Sequence, residues 1–221
     1  MAVEFTVQGR FSAFRTPERG TVRATVGLQG PSLGPVYEQV VRSLEKVSQS
    51  IAPLHQPDAG PVTWWSTQQV RTWANRPWNN QGKQLPLVHH ARVGISVKFS
   101  DFAELSRWVG QHVEHTRGFT LDGVDWALTA KRQAELQREV RAAAVQDAVS
   151  RAQTYADALG LGPVTPVAIA DAGMLSSGIG PTAMPAAAFM RGAAAGSADN
   201  ELGLLPEDIE VKAEVDARFV S

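Results

Sequence analysis

The longest helical signal in the chain lies between Thr129 and Gly160, and it constrains the fold more than any other feature. The stretch between them has no Gly or Pro and is rich in Ala, Leu, Gln, Glu and Arg, which favour helix. Thr129 suits an N-cap and Gly160 suits a left-handed terminator. At 1.5 Å per residue the helix would be ~45 Å long, close to the ~44 Å diameter of a compact chain of this size. It must therefore cross the whole molecule or project from it.

The apolar side chains of this helix change direction along its length. Leu136 and Val140 are the large apolar residues of the first half. The second half has a seam of Val145, Val149, Ala152, Ala156 and Leu159. Leu136 and Val149 lie roughly 140° apart around the axis. We therefore expect the two halves to face different neighbours, one of them a second copy of the chain.

The remaining elements indicate an α+β fold. Two-residue alternation predicts half-buried strands near 3–8, 22–28, 62–74, 88–99, 119–128 and 209–219, and a short strand after Pro163. Spacings of three and four predict helices over 36–51 and 102–113, the second with Ser100 as N-cap. The phase of the alternation shifts at Asp122-Gly123, which predicts a β-bulge or a tight kink in the strand.

These elements predict mixed, mainly antiparallel sheets with three helices packed on one face. Two strand–helix–strand segments, 22–74 and 91–128, form a weak internal repeat. We expect one domain over 1–221 with a flexible insertion rich in Gly, Ala, Pro and Met at about 173–205.

Composition excludes several classes of function. The formal net charge is -1, which does not favour nucleic acid or an anionic membrane as partner. The absence of Cys excludes disulfides, thiolate metal sites and cysteine nucleophiles. The sequence shows neither an export signal nor an apolar stretch long enough for a spanning helix, so the expectation is a soluble, cytoplasmic protein.

No motif predicts a catalytic residue, a cofactor site or a metal site. His89 and His90 are adjacent on a strand and point to opposite faces, while His112 and His115 lack a third ligand and suit solvated positions near a helix end. The carboxylate pairs Asp122 with Asp125, and Glu207 with Asp208, lie near turns or strand starts and are interpreted as surface groups. No nucleophile elbow, phosphate loop or dinucleotide fingerprint is present.

The densest aromatic group comprises Trp64, Trp65, Trp73 and Trp78. Adjacent Trp64 and Trp65 must face opposite sides of their strand, so one of them needs a second cover. The nearby basic residues are few, which favours a protein interface over nucleic acid. We expect Trp65, Trp73, Leu136 and Val140 to form an oligomer contact.

The chain also resembles the SIMPL-domain family, a domain of unknown function that includes periplasmic immunogenic proteins of bacteria. The resemblance lies in Val7-Gln8-Gly9-Arg10, in the Pro17-Glu18 turn before 22–26, in the Ala-bearing helix over 141–162, and in the last strand entered from 205–209. Glu207 stands where the family usually has Gly after Pro. The resemblance implies an α+β domain and homo-oligomerisation, supplies no catalytic residue, and makes a periplasmic or envelope location the alternative to the cytoplasm.

The leading hypothesis is a non-enzymatic, self-associating protein that acts as a homo-oligomeric scaffold, or as an envelope- or stress-associated protein. The alternative is a small-molecule-binding protein or an enzyme whose pocket lies between the sheet and the 173–205 insertion. A third hypothesis is an adaptor whose partner is another protein chain.

Overall fold

Eleven elements make up the part of the chain that the computed structural model describes, residues 2–78, 84–175 and 204–221. In chain order they are β1 (Glu4–Arg15), β2 (Arg19–Gly30), α1 (Leu33–Ile51), β3 (Val62–Thr67), β4 (Arg71–Asn75), β5 (Val88–Phe99), α2 (Phe102–His115), β6 (Phe119–Ala127), α3 (Ala130–Ala158), β7 (Thr165–Asp171) and β8 (Ile209–Val220). Both sheets built from these strands are antiparallel. The α+β fold class is therefore confirmed.

Contacts within the chain fall into two units. One holds β1, α3, β7 and β8, and the other holds β2 to β6 with α1 and α2. The helices are thus divided between two sheets rather than all packed on one face. That residues 1–221 fold as one domain stays a prediction. Most of the predicted 173–205 insertion, residues 176–203, lies outside the described residues.

The second unit is built around a five-stranded sheet in the order β3-β5-β2-β6, with β4 also paired to β5. Helix α1 follows β2 and helix α2 follows β5, so the chain order is the βαββαβ arrangement of ferredoxin-like folds. The two strand–helix–strand segments of the weak sequence repeat are the two halves of this arrangement. The predicted bulge is confirmed, because the pairing of β2 with β6 shifts register between Arg23 and Ala24.

Alternation along the central strands decides which face of this sheet is covered. Odd-numbered residues of β5, from Ala91 to Phe99, are buried with Val22, Ala24 and Val26 of β2. Apolar residues of α1 and α2 complete the same core, including Val40, Ile51, Leu105 and Trp108. Even-numbered residues of β5 therefore point to the opposite face.

Two local predictions for this unit were wrong. The predicted strand 62–74 is two strands, β3 and β4, because the register against β5 changes between them: Thr67 lies opposite Ile95, whereas Arg71 lies opposite Arg92. The N-cap of α2 is Asp101 rather than Ser100, since the Asp101 carboxylate accepts hydrogen bonds from the backbone N–H groups of Ala103 and Glu104.

The first unit has the sheet order β1-β8-β7, and α3 packs on β1 and β8. The boundaries predicted for α3 are confirmed: the Thr129 hydroxyl accepts from Arg132 N, and Gly160 is left-handed with φ +69°. One row of α3 is buried, with members four residues apart: Leu136, Val140, Ala144, Ala148, Ala152 and Ala156.

The small side chains of this row let α3 approach β1 closely at Gly9. A Cβ atom added to Gly9 would lie 2.0 Å from the carbonyl oxygen of Ala144 and 2.8 Å from the Cβ of Ala148. The buried row shares Ala152 and Ala156 with the predicted seam of the second half, but Val145 and Val149 are only partly buried and Leu159 is exposed. Because α3 packs closely through its Ala residues, the larger Val145, Val149 and Leu159 lie at the edges of the contact.

Candidate functional site

The face of the five-stranded sheet opposite α1 and α2 carries the candidate site, and we call it the open face. It consists of the even-numbered residues of β5 from His90 to Lys98 and the residues paired with them on β2, β3 and β4. Among the described residues, both helices that pack on this sheet share the core on its other face. Trp64, Trp73 and Arg92 on this face are exposed, whereas Thr25 is buried.

One end of the open face is formed by Trp64 and Lys98. Trp64 pairs with Lys98 across β3 and β5, and the Lys98 ammonium lies 5.6 Å from the Trp64 ring centroid, within the range of a cation–π contact. Neighbouring Trp65 points the other way and packs against the core. The prediction that these two residues face opposite sides is confirmed, and Trp64 is the one left 46% exposed.

The other end of the open face is formed by Trp73 and His90. Trp73 of β4 pairs with His90 of β5, and the two rings stack with centroids 4.9 Å apart and planes 2° from parallel. The His90 Nε2 lies 2.6 Å from the Oδ1 of Asn75, an acceptor, so Nε2 carries the proton in this contact. These contacts hold the indole of Trp73 in place while 47% of the residue stays exposed.

A polar cluster joins Arg92, Thr25 and Asp122 across the central strands. The Thr25 hydroxyl donates to Asp122 Oδ2 at 2.6 Å and accepts from Arg92 Nη2 at 2.9 Å. Arg92 Nη2 also lies 3.7 Å from Asp122 Oδ1. The bulge in β6 brings Asp122 to this position. Asp125, the other predicted surface carboxylate of this turn, pairs with Arg23 at 2.9 Å.

A shallow groove of about 400 Å³ lies between these two groups. Its walls include the Trp73–His90 stack, Arg92 and Gln29, and Gly27 contributes backbone alone. A Cβ atom added to Gly27 would have its nearest neighbour 3.8 Å away, the Cγ of Arg92. The missing side chain therefore gives the groove depth rather than relieving a close contact.

The four residues expected to form an oligomer contact lie in different places. Leu136 and Val140 on α3 are 0% and 1% exposed in the single chain, so a second copy is not needed to cover them. Trp65 is half-buried against the core. Of the four, only Trp73 lies on the open face. Trp64, which was not one of the four, lies there too.

His112 differs from its interpretation as a solvated residue. It is buried, with Nε2 2.7 Å from the Ser50 hydroxyl and Nδ1 2.7 Å from the Thr116 hydroxyl. The Trp108 indole N–H donates to the same Ser50 oxygen at 2.9 Å. Burial lowers the pKa of His112, which favours the neutral imidazole. The signal in the sequence was its position, four residues after Trp108 on the inner face of α2.

The remaining histidine and carboxylate candidates for metal binding or acid–base chemistry do not cluster among the described residues. His115 is exposed beside Glu114, with Nδ1 3.6 Å from Oε2, and Glu207 and Asp208 are exposed ahead of β8. Over residues 2–78, 84–175 and 204–221, no three His, Cys, Asp or Glu side chains come together as metal ligands. The described helices include none that is long and apolar enough to cross a membrane.

Comparison with known families adds to this geometry. The family model SIMPL, described as a protein of unknown function (DUF541), matches residues 5–219, nearly the whole chain. This chain belongs to the SIMPL family. No curated protein matches the sequence. Family membership agrees with the resemblance found in β1, α3 and β8, and it leaves the function to be argued from the open face.

Proposed function

We propose that this SIMPL protein is a non-enzymatic, self-associating protein and that its copies meet through the open face. The observation that carries the proposal is that Trp64 and Trp73, each nearly half exposed, lie on the same face of one sheet, opposite α1 and α2. Exposed tryptophans are enriched at protein interfaces, where burying them contributes much of the binding energy. Two antiparallel sheets can pack face to face about 10 Å apart.

Charge on the open face supports a second copy as the occupant. A two-fold contact places a surface against itself, so its basic groups need acidic groups on the same surface. The open face has both: Arg23, Arg71, Arg92 and Lys98 are basic, and Asp122 and Asp125 on the adjoining β6 are acidic. A strongly basic or acidic partner would meet like charge as well as unlike charge there.

The experiment is native mass by size exclusion coupled to light scattering. We expect the wild-type chain to exceed its monomer mass of 23.8 kDa at micromolar concentrations. Trp64→Ala, and more strongly the double variant with Trp73→Ala, should shift it towards monomer. Trp78→Ala is the matched control, because Trp78 is 85% exposed but lies outside the strands. A wild-type monomer, or equal effects of all the substitutions, would refute the proposal.

The alternative of a pocket between the sheet and the 173–205 insertion rests mostly on residues outside the described ones. A scaffold role and an envelope- or stress-associated role are hypotheses that build on self-association. An adaptor whose partner is another protein chain is an alternative to self-association.

A further inference from the structure

The groove beside Trp73 has the features of a ligand site within one chain. Its aromatic wall is ordered before anything binds, because Asn75 holds His90 and His90 stacks on Trp73. An ordered aromatic surface binds a planar ring with little loss of side-chain freedom. The stack still leaves 47% of Trp73 exposed, which gives a ring room to extend it.

The lining of the groove favours an anion, because it includes the Arg92 guanidinium and no acidic residue; Asp122, the ion-pair partner of Arg92, is not one of the lining residues. Arg92 lies directly opposite Arg71 in the pairing of β4 with β5. Like charges opposite each other across a strand pair are destabilising, and an anion placed near both offsets the repulsion. In the described ranges, Arg71 makes no ion pair and Arg92 uses only Nη2 for its hydrogen bond and ion pair. Arg92 therefore keeps other N–H donors for a carboxylate.

We propose that this groove binds a small planar aromatic carboxylate. The ring lies against the Trp73–His90 stack and the carboxylate accepts hydrogen bonds from Arg92. Gly27 provides the depth, since any larger residue at that position would extend into the groove. A volume of about 400 Å³ suits a ligand of one or two fused rings. The proposal goes beyond self-association and applies to the monomer, in which one chain supplies every residue of the groove and Trp73 is exposed. A second copy on the open face would compete with the ligand for Trp73.

Titration calorimetry with 2-naphthoate tests the proposal. We expect saturable binding to the wild-type chain and much weaker binding of 2-naphthamide, which has the same rings without the charge. Arg92→Gln should weaken 2-naphthoate binding by about tenfold or more, because charge-assisted hydrogen bonds are the strong ones. Gly27→Leu should weaken it similarly by filling the groove, since the added Cβ meets nothing closer than 3.8 Å.

Ser96→Leu is the matched control, because Ser96 lies on the open face but not in the groove. It should bind 2-naphthoate as the wild type does. Trp64→Ala should also retain binding, so that loss of self-association and loss of ligand binding are measured separately. The proposal is overturned if 2-naphthoate does not saturate at millimolar concentrations. Equal binding of 2-naphthamide, or no effect of Gly27→Leu, overturns it as well.

Discussion

Gly9→Ala is the substitution that most sharply tests how α3 packs on its sheet. The added Cβ would lie 2.0 Å from the Ala144 carbonyl oxygen, 2.7 Å from the Ala148 nitrogen and 2.8 Å from the Ala148 Cβ. Well-packed carbon atoms lie roughly 3.5–4.0 Å apart. Two of the three neighbours are backbone atoms, so no side-chain rotation relieves the contact and the helix itself must move away from β1.

The expected cost follows from that displacement. Overpacking a core costs roughly 1–3 kcal/mol and occasionally more, and a backbone clash belongs at the upper end of that range. We therefore expect Gly9→Ala to lower the free energy of unfolding by about 3 kcal/mol. For a chain of this length that corresponds to a fall in Tm of roughly 6–12 °C.

Thermal and urea unfolding followed by circular dichroism would measure the change. The control is Gly110→Ala on α2, because a Cβ added to Gly110 meets nothing within 4 Å. Gly→Ala in a helix interior should stabilise by roughly 0.5–1 kcal/mol. If the free energy of unfolding of Gly9→Ala lies within about 0.5 kcal/mol of the wild-type value, the ordinary range for surface substitutions, the close approach of α3 to β1 is refuted.

Three further predictions concern single side chains. The folded-state pKa of His112 lies below its unfolded value of 6.5, so the stability it contributes is complete above pH 6.5 and declines as the pH falls below it. Urea unfolding from pH 7.5 to 5 should show that decline in the wild type and less of it in His112→Gln; equal slopes would contradict the buried network. Asp101→Ala should lower the free energy of unfolding by about 1 kcal/mol through loss of the α2 N-cap, whereas Asp101→Asn should keep most of the cap's stabilisation. Thermal unfolding of both variants measures the difference. The Arg10 backbone N–H, with Arg151 adding to it, holds the pKa of Asp147 below its usual value, so its contribution to stability is present above pH 3.8 and lost as the pH falls through the lowered pKa. In acid unfolding, the free energies of unfolding of the wild type and Asp147→Asn should therefore differ above pH 3.8 and converge below the lowered pKa.

Much of the fold could be predicted from periodicity, because side-chain alternation and helix caps are local signals. The boundaries of α3, the bulge at Asp122-Gly123 and the opposite directions of Trp64 and Trp65 all follow from neighbours in sequence. The break between β3 and β4 is a change of register against β5, a strand distant in sequence, and no local pattern shows it.

The burial of α3 shows where sequence reasoning about large apolar residues fails. The predicted seam is buried at Ala152 and Ala156 but not at its larger members, and the buried row continues instead through Ala144 and Ala148. Gly9 permits this close approach, and Gly9 lies more than a hundred residues earlier in the chain. The contacts that decide which face of a helix is buried are therefore tertiary.

The candidate site was only partly visible in the sequence. Trp73 was selected from aromatic density, but His90 and Arg92 gained meaning only when β4 paired with β5 in register. Gly27 carries no sequence signal for a groove, because an isolated glycine in a strand has several explanations. The open face is a product of topology, which places both helices on the other side of the sheet.

Spin-label distances between two copies test the central proposal most directly, and the absence of cysteine makes selective labelling simple. Labels at Ser96→Cys lie on the open face, and labels at Gln49→Cys lie on exposed positions of α1 behind the sheet. Two sheets in contact stand about 10 Å apart. The α1 helices lie on the outer side of each sheet, so labels on the two α1 helices would be separated by about 30 Å or more. We predict a short distance at Ser96→Cys and a longer one at Gln49→Cys. The reverse order, or no intermolecular distance at either site, would contradict self-association through the open face.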